Sequence, residues 1–159
     1  MRSVLERAGA GSRAVVPAGT VLLSEGSKSG RLYVLAEGSI EVVRGDVQVA
    51  VVNEPGSFFG EMSVLLDLPH TATVRTLSPA TVHAFDDADA FLRSEPEIAL
   101  TVARMLAQRL NAATTYLVDL KRQYAGSNNH LGMVSEVLAG LLHIQEPEFT
   151  PGSDRQPGP

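Results

Sequence analysis

The sequence predicts a mainly β domain with flanking helices, built as an antiparallel barrel or sandwich and followed by a long helix. Two observations support this fold class. From Arg13 to Asp86, short runs rich in Val, Ile, Thr and Leu are interrupted by Gly, Pro, Asn or Asp at intervals of roughly 8–12 residues, which is the spacing typical of all-β folds. After Asp86 the apolar residues instead recur every three or four positions, as they do in helices.

The β region contains seven predicted strands. Three of the turns between them have sequences that suit a chain reversal: Pro17-Ala18-Gly19, Glu37-Gly38 and the two-residue hairpin loop Gly45-Asp46. The predicted strands are Ala14–Val16, Thr20–Ser24, Arg31–Ala36, Ser39–Arg44, Val47–Asn53, Thr71–Leu77 and Ala80–Asp86.

A short helix and a long helix follow. The short one covers Asp87–Ser94, and the acidic residues that precede it are expected to cap it rather than to bind a cation. The long one opens at Ser94 or Glu95, with Pro96 in its first turn, and extends to about Tyr124. At 1.5 Å per residue it is about 45 Å long.

The long helix carries two apolar faces, a heptad seam and an adjacent stripe. Two faces need two partners, so we expect one to pack on the β domain and the other to pair with the same helix of a second subunit. The alternative is a helix buried inside a monomer. The seam is Ala99, Ala103, Leu106, Leu110, Ala113, Leu117, Leu120 and Tyr124, and the stripe is Ile98, Val102, Met105, Ala112 and Tyr116.

The chain is expected to form one main domain with two small appendages. Residues 1–125 contain the β domain and the long helix, which occupies about 95–125. Residues 126–145 contain a short terminal helix, His130–His143. Residues 146–159 hold four prolines and two glycines and are expected to be disordered.

Composition excludes several classes of function. A net charge of −5, from 13 basic and 18 acidic residues, disfavours non-specific nucleic-acid binding. No stretch approaches the roughly 18 apolar residues of a membrane span. The absence of cysteine fits a cytoplasmic protein. Because the four histidines lack metal-ligand spacing and neither a Gly-x-Ser-x-Gly nor a Walker motif occurs, we expect no metal, no cofactor and no enzymatic activity.

The run from Phe59 to Arg75 is the most informative stretch. A glycine and an acid precede small apolar residues, a turn and a strand, which suits a short helix whose amides face a compact anion beside a carboxylate. The run resembles the phosphate-binding cassette of cyclic nucleotide-binding domains, which usually reads Phe-Gly-Glu, apolar residues, then Pro-Arg-Thr/Ala-Ala-Thr-Val. The glycine spacing of Val21–Val43 and the long helix follow in the family's order, so the resemblance covers roughly Arg13 to Thr115.

The resemblance implies an eight-stranded antiparallel β-roll of the jelly-roll type that binds cyclic AMP or cyclic GMP inside the roll. A solvated residue at a helix start is the alternative for Glu61, and a surface or dimer salt bridge is the alternative for Arg109. By analogy with the family, the phosphate contacts Gly60, Met62, Ser63, His70 and Thr71, the ribose contacts Glu61, and the base contacts Val51, Val74, Arg109 and Thr114.

His70 departs from the family pattern, which has an arginine at this position. Neutral histidine offers one N–H where arginine offers two parallel donors and a permanent charge. Since a charge-assisted hydrogen bond contributes about 1.5–3 kcal/mol, the change is expected to weaken binding by roughly 10- to 100-fold or more. Weak binding, a different ligand and no ligand all remain open. Arg75 is not expected to substitute, because strand alternation places it on the opposite face from His70.

Two functions follow from these expectations. The first is a non-enzymatic sensor, dimeric through the long helix, that binds a cyclic nucleotide and signals through its C-terminal helices to a separate protein. The second is a degenerate domain that has lost nucleotide binding and acts as a dimeric protein-interaction module. Residues 125–159 are too short for the winged helix-turn-helix of the family's transcription activators, so DNA binding is not expected.

Overall fold

A computed structural model describes residues 5, 8–9, 11–124 and 131–142. Eight antiparallel strands form two four-stranded sheets, which confirms the predicted fold class. All seven predicted strands are present, and an eighth, β6, was not predicted. The strands are β1 Ser12–Val16, β2 Val21–Leu23, β3 Leu32–Glu37, β4 Ile40–Arg44, β5 Val47–Val52, β6 Phe58–Phe59, β7 Thr73–Thr76 and β8 Ala80–Phe85.

The helices also agree with the sequence pattern. The short helix begins one residue after Asp87, whose side chain accepts a hydrogen bond from the Ala90 N–H at 3.1 Å, so the predicted cap is confirmed. The predicted terminal tail, 146–159, lies outside the described residues. The helices are α1 Glu61–Leu66, α2 Ala88–Ser94, α3 Pro96–Gln123 and α4 Leu131–Leu142.

The two sheets have the strand orders β1-β8-β3-β6 and β2-β7-β4-β5. Strand alternation sends one set of side chains from each sheet into a shared core. Leu35 and Val82 of the first sheet and Ile40 of the second are fully buried there. The predicted hairpin loop at Gly45-Asp46 is confirmed, since Arg44 and Val47 pair directly and Gly45 has a positive φ of 61°.

The chain divides into two compact units, residues 1–102 and 103–159. The first contains the β-roll, α1, α2 and the start of α3, where Ile98 and Val102 are buried. The second contains the remainder of α3 and α4. Within it, Leu110 of the predicted seam is 44% exposed and Leu117 is half-buried.

Candidate ligand-binding cassette

The cassette, residues 59–75, begins at the end of β6, one residue before α1. Tyr33 and Val34 of β3 pair with Phe59 and Phe58, which fixes the position of this entry. Gly60 follows with φ 97°, a conformation that favours glycine. A Cβ at Gly60 would lie 2.5 Å from the Arg31 carbonyl oxygen, so the cassette approaches the start of β3 too closely for any side chain. The sequence pattern missed β6 because a two-residue strand shows no periodicity.

Helix α1 buries Glu61 and Ser63 and exposes Met62, which lies between them. Glu61 is 5% exposed and Met62 is 45% exposed. The buried Ser63 hydroxyl donates to the Leu68 carbonyl, and the Leu68 N–H donates back to the Ser63 carbonyl at 3.1 Å. The Ser63 side chain is therefore used to close the turn after α1, whereas the buried position of Glu61 keeps a carboxylate inside the cassette.

His70 is held by residues 24–30 of the loop that joins β2 to β3. The backbone N–H of His70 donates to the Ser27 carbonyl at 2.8 Å, and the His70 backbone carbonyl accepts from the Gly26 N–H at 2.8 Å. Its Nε2 atom lies 2.7 Å from the Ser29 Oγ atom. The residue is 5% exposed, and this burial lowers the pKa of His70 below its ordinary value of 6.5. The imidazole is therefore neutral near pH 7.

Ser29 is a site residue that the sequence analysis missed. It lies 41 positions from His70, and a single serine in a Gly- and Ser-containing loop carries no recognisable signal. The neighbouring Thr71 is exposed, so its hydroxyl is accessible.

Arg75 is not a substitute for the family's arginine. Its Nη2 atom lies 3.0 Å from Glu41 Oε1, and the two residues are direct neighbours across β7 and β4. Glu41 is 8% exposed, so the guanidinium is committed to a largely buried carboxylate. This agrees with the expectation that Arg75 does not substitute, although His70 precedes β7 and strand alternation does not relate the two residues.

The predicted base contacts are not all brought together. In the sheet register, Val74 is level with Val42, whereas Val51 is level with Glu41. Because Glu41 and Val42 are consecutive, their side chains point to opposite faces, and so do Val51 and Val74. Val74 is 5% exposed and faces the core, whereas Val51 is 52% exposed on the outer face.

The remaining predicted base contacts, Arg109 and Thr114, lie on α3 in the second compact unit. Arg109 is exposed and Thr114 is half-buried.

A cleft of about 610 Å³ lies along one side of the cassette. Ser63, Val64 and Leu65 of α1 line one part of it, Ser29 and Gly30 another, and residues in and just before α2 a third, namely Asp86, Asp87, Asp89 and Arg93. Ser63 is the predicted site residue that lines it, and Ser29 connects it to His70.

Two further properties bear on the function. Within the described ranges, no group of three or more His, Asp or Glu side chains is arranged to hold a metal ion. None of the described helices is both long enough and apolar enough to cross a membrane.

A two-sheet β-roll that carries a short helical cassette and a long following helix is the architecture of a regulatory ligand-binding domain. The sequence profile described as the cyclic nucleotide-binding domain matches residues 13–93, more than half of the chain. The chain belongs to the cyclic nucleotide-binding domain family, as the cassette motif predicted.

Similar proteins place this domain in several contexts. An uncharacterised ABC transporter ATP-binding protein of Mycobacterium tuberculosis is 41% identical over 70 residues, which cover 42% of this chain and 21% of the relative. A CRP-like cAMP-activated global transcriptional regulator of the same species is 29% identical over 110 residues, 65% of this chain and 49% of the relative. The chain therefore spans about a fifth to a half of the length of these curated relatives.

The fold likeness extends over most of the chain. The crystal structure of the Thermus thermophilus catabolite activator protein superposes with a TM-score of 0.60 and 25% identity, covering 89% of this chain and 81% of the other. The chain is thus related to CRP-like regulators in both sequence and fold.

Proposed function

We propose that this chain is a cytoplasmic, non-enzymatic sensor module that binds cyclic AMP or cyclic GMP. The observation that carries the proposal is the cassette itself, in which Gly60 turns the chain against Arg31 and the next residue, Glu61, is buried beside it. By analogy with the family, this carboxylate accepts the ribose 2′-hydroxyl, a bond that an ionised glutamate can form.

The other contacts follow the cassette. Of the two valines, only one can touch a base held on a single side of the sheet, and we assign Val74 because it faces the interior of the roll. Arg109 and Thr114 of α3 stay predicted base contacts, by analogy with the family. The phosphate contacts are the backbone amides of Gly60, Met62 and Ser63 and the side chains of His70 and Thr71.

Calorimetry with cyclic AMP and cyclic GMP tests the proposal. Saturable binding is expected, and Glu61→Ala abolishes it, whereas Glu54→Ala, an exposed glutamate on the loop before β6, leaves it unchanged. His70→Arg strengthens binding roughly 10- to 100-fold, because it restores a bidentate cation. No heat at millimolar ligand for either the wild type or His70→Arg would refute the proposal.

We propose further that the signal leaves through α3 and α4 to a separate protein and that α3 pairs with a second copy. Exposed leucine on the seam, such as Leu110, supports a helix partner outside the chain. We therefore assign the surface that contacts the separate protein to α3 and α4.

One observation favours the second candidate, a degenerate interaction module. The His70 Nε2 atom already has a partner in Ser29, so the residue at the family's cation position is satisfied without a ligand. The calorimetric experiment separates the two functions, because the interaction module gives no heat with either nucleotide.

A further inference from the structure

His70 and Ser29 form a pair between the cassette and the 24–30 loop, in which His70 is buried and Ser29 is exposed. The backbone N–H of Arg31 also donates to Ser29 Oγ, at 3.2 Å, while His70 Nε2 lies 2.7 Å from the same oxygen. Because the Arg31 N–H occupies one lone pair, the hydroxyl hydrogen is available to point at Nε2. The ring then carries its single proton on Nδ1. The pair as it stands therefore suits a neutral imidazole.

Three cations on the surrounding elements are each held by a carboxylate within 3.2 Å. These pairs are Lys28 with Asp67 at 2.6 Å, Arg31 with Asp86 at 3.2 Å, and Arg75 with Glu41 at 3.0 Å. Other acidic groups of the same elements are Glu25, which accepts from the Gly45 N–H at 2.9 Å, Asp87, which accepts from the Ala90 N–H at 3.1 Å, and the buried Glu61. An anion beside His70 therefore adds to a negative balance unless the imidazole itself becomes charged.

We propose that an anionic ligand enters this site together with one proton, taken up by His70, and that Ser29 is the positioning residue that permits the uptake. The inference rests on the proposed function and specifies how the same site is regulated. The proton comes from solvent and binds Nε2, which then donates to the second lone pair of Ser29 Oγ. The hydroxyl hydrogen turns away from the ring, and Nδ1–H remains as a donor for the phosphate. The charges of imidazolium and cyclic phosphate cancel, so ligand binding adds no net charge to the site.

Calorimetry at about pH 5.5 to 8.5, in buffers of different ionisation enthalpy, measures the proton directly. With cyclic AMP, the wild type is expected to take up about one proton per ligand above the pKa of His70, and its affinity falls about tenfold per pH unit there. His70→Arg takes up none, because a guanidinium is charged throughout this range. Its affinity is therefore flat with pH.

Ser29→Ala tests the positioning role. The variant leaves the protonated Nε2 without an acceptor, and because charge-assisted bonds are the stronger ones, the pH profile of affinity is expected to move down by about half a unit to one unit. Ser27→Ala is the matched control on the same loop. The Ser27 hydroxyl donates to the Ser24 carbonyl at 2.9 Å, and the Ser27 carbonyl still accepts the His70 N–H after the substitution, so no shift is expected.

The outcomes separate this inference from the proposed function. Cyclic AMP binding without proton uptake overturns the inference and leaves the function intact, and so does a pH dependence that persists in His70→Arg. Failure of the wild type to bind near pH 5.5, where His70→Arg binds, also overturns it. No binding by either protein at any pH refutes the function and the inference together. An independent readout is the His70 ring titration by NMR, whose midpoint rises with saturating cyclic AMP and stays fixed if the inference is wrong.

Discussion

Replacement of Gly60 by alanine should destabilise the protein through two separable effects. Its φ of 97° lies in the left-handed region, where a side chain costs about 1–2 kcal/mol. The new Cβ would also lie 2.5 Å from the Arg31 carbonyl oxygen and 3.1 Å from Leu23 Cδ1. Backbone cannot yield as a flexible side chain does, and such overpacking costs about 1–3 kcal/mol. The expected loss is therefore about 2–5 kcal/mol, a large part of the roughly 5–15 kcal/mol that stabilises a domain.

Gly26 provides the matched control for this prediction. Its φ is 85°, close to that of Gly60, but a Cβ there meets no atom within 4 Å. Gly26→Ala keeps the N–H that donates to the His70 carbonyl, so it should lose only the conformational share, about 1–2 kcal/mol. Urea unfolding followed by circular dichroism gives both free energies of unfolding. Equal losses in the two variants would show that the cassette does not press against Arg31, and the close approach at the start of α1 would have to be abandoned.

Three further predictions concern the core, pH and assembly. Ile98→Ala removes a side chain that is 1% exposed and should lose about 2–5 kcal/mol in the free energy of unfolding, whereas Leu100→Ala, 45% exposed, should change little; similar losses would contradict the burial. Because burial lowers the pKa of His70, the unfolded state binds the proton more readily, and wild-type stability should fall as pH drops below about 6.5 and level off below the folded-state pKa. His70→Gln should lack this component when thermal unfolding is compared across pH, and identical profiles would refute it. Leu110→Glu together with Leu117→Glu should convert a dimer into a monomer in sedimentation at micromolar concentration, and an unchanged mass would refute pairing through α3.

Most of the β-roll could be predicted from sequence because its longer strands carry both a period and a turn at each end. Gly45 and Asp46, for example, mark a hairpin by local chemistry alone. Strand β6 could not be found this way, since two residues define no alternation and its position is set by pairing with distant β3. Its effect is nevertheless large, because it delivers Gly60 to the cassette.

The residues of the candidate site also differ in whether the sequence alone could identify them. Glu61 and His70 were identifiable because a contiguous motif contains them. Ser29 was not, because its role comes from a tertiary contact with His70 across 41 positions. Val51 and Val74 show a related difficulty: the register of β4 with its two neighbours decides which valine faces the interior, and a bulge between β4 and β5 prevents simple counting along the strand.

The histidine at position 70 brings the structural and the ligand-binding interpretations into direct competition. A histidine kept only for packing needs one hydrogen bond inside the protein, and Ser29 supplies it to the neutral ring. A histidine kept for an anion needs a positive charge beside its Nδ1–H donor, and the neutral ring lacks that charge. Both requirements are met at once only by the protonated ring, because it keeps a bond to Ser29 while it carries the charge that an anion needs. Burial disfavours that state until an anion compensates the charge. Proton uptake on binding therefore distinguishes a working phosphate site from a residue that merely fills the space of the family's arginine.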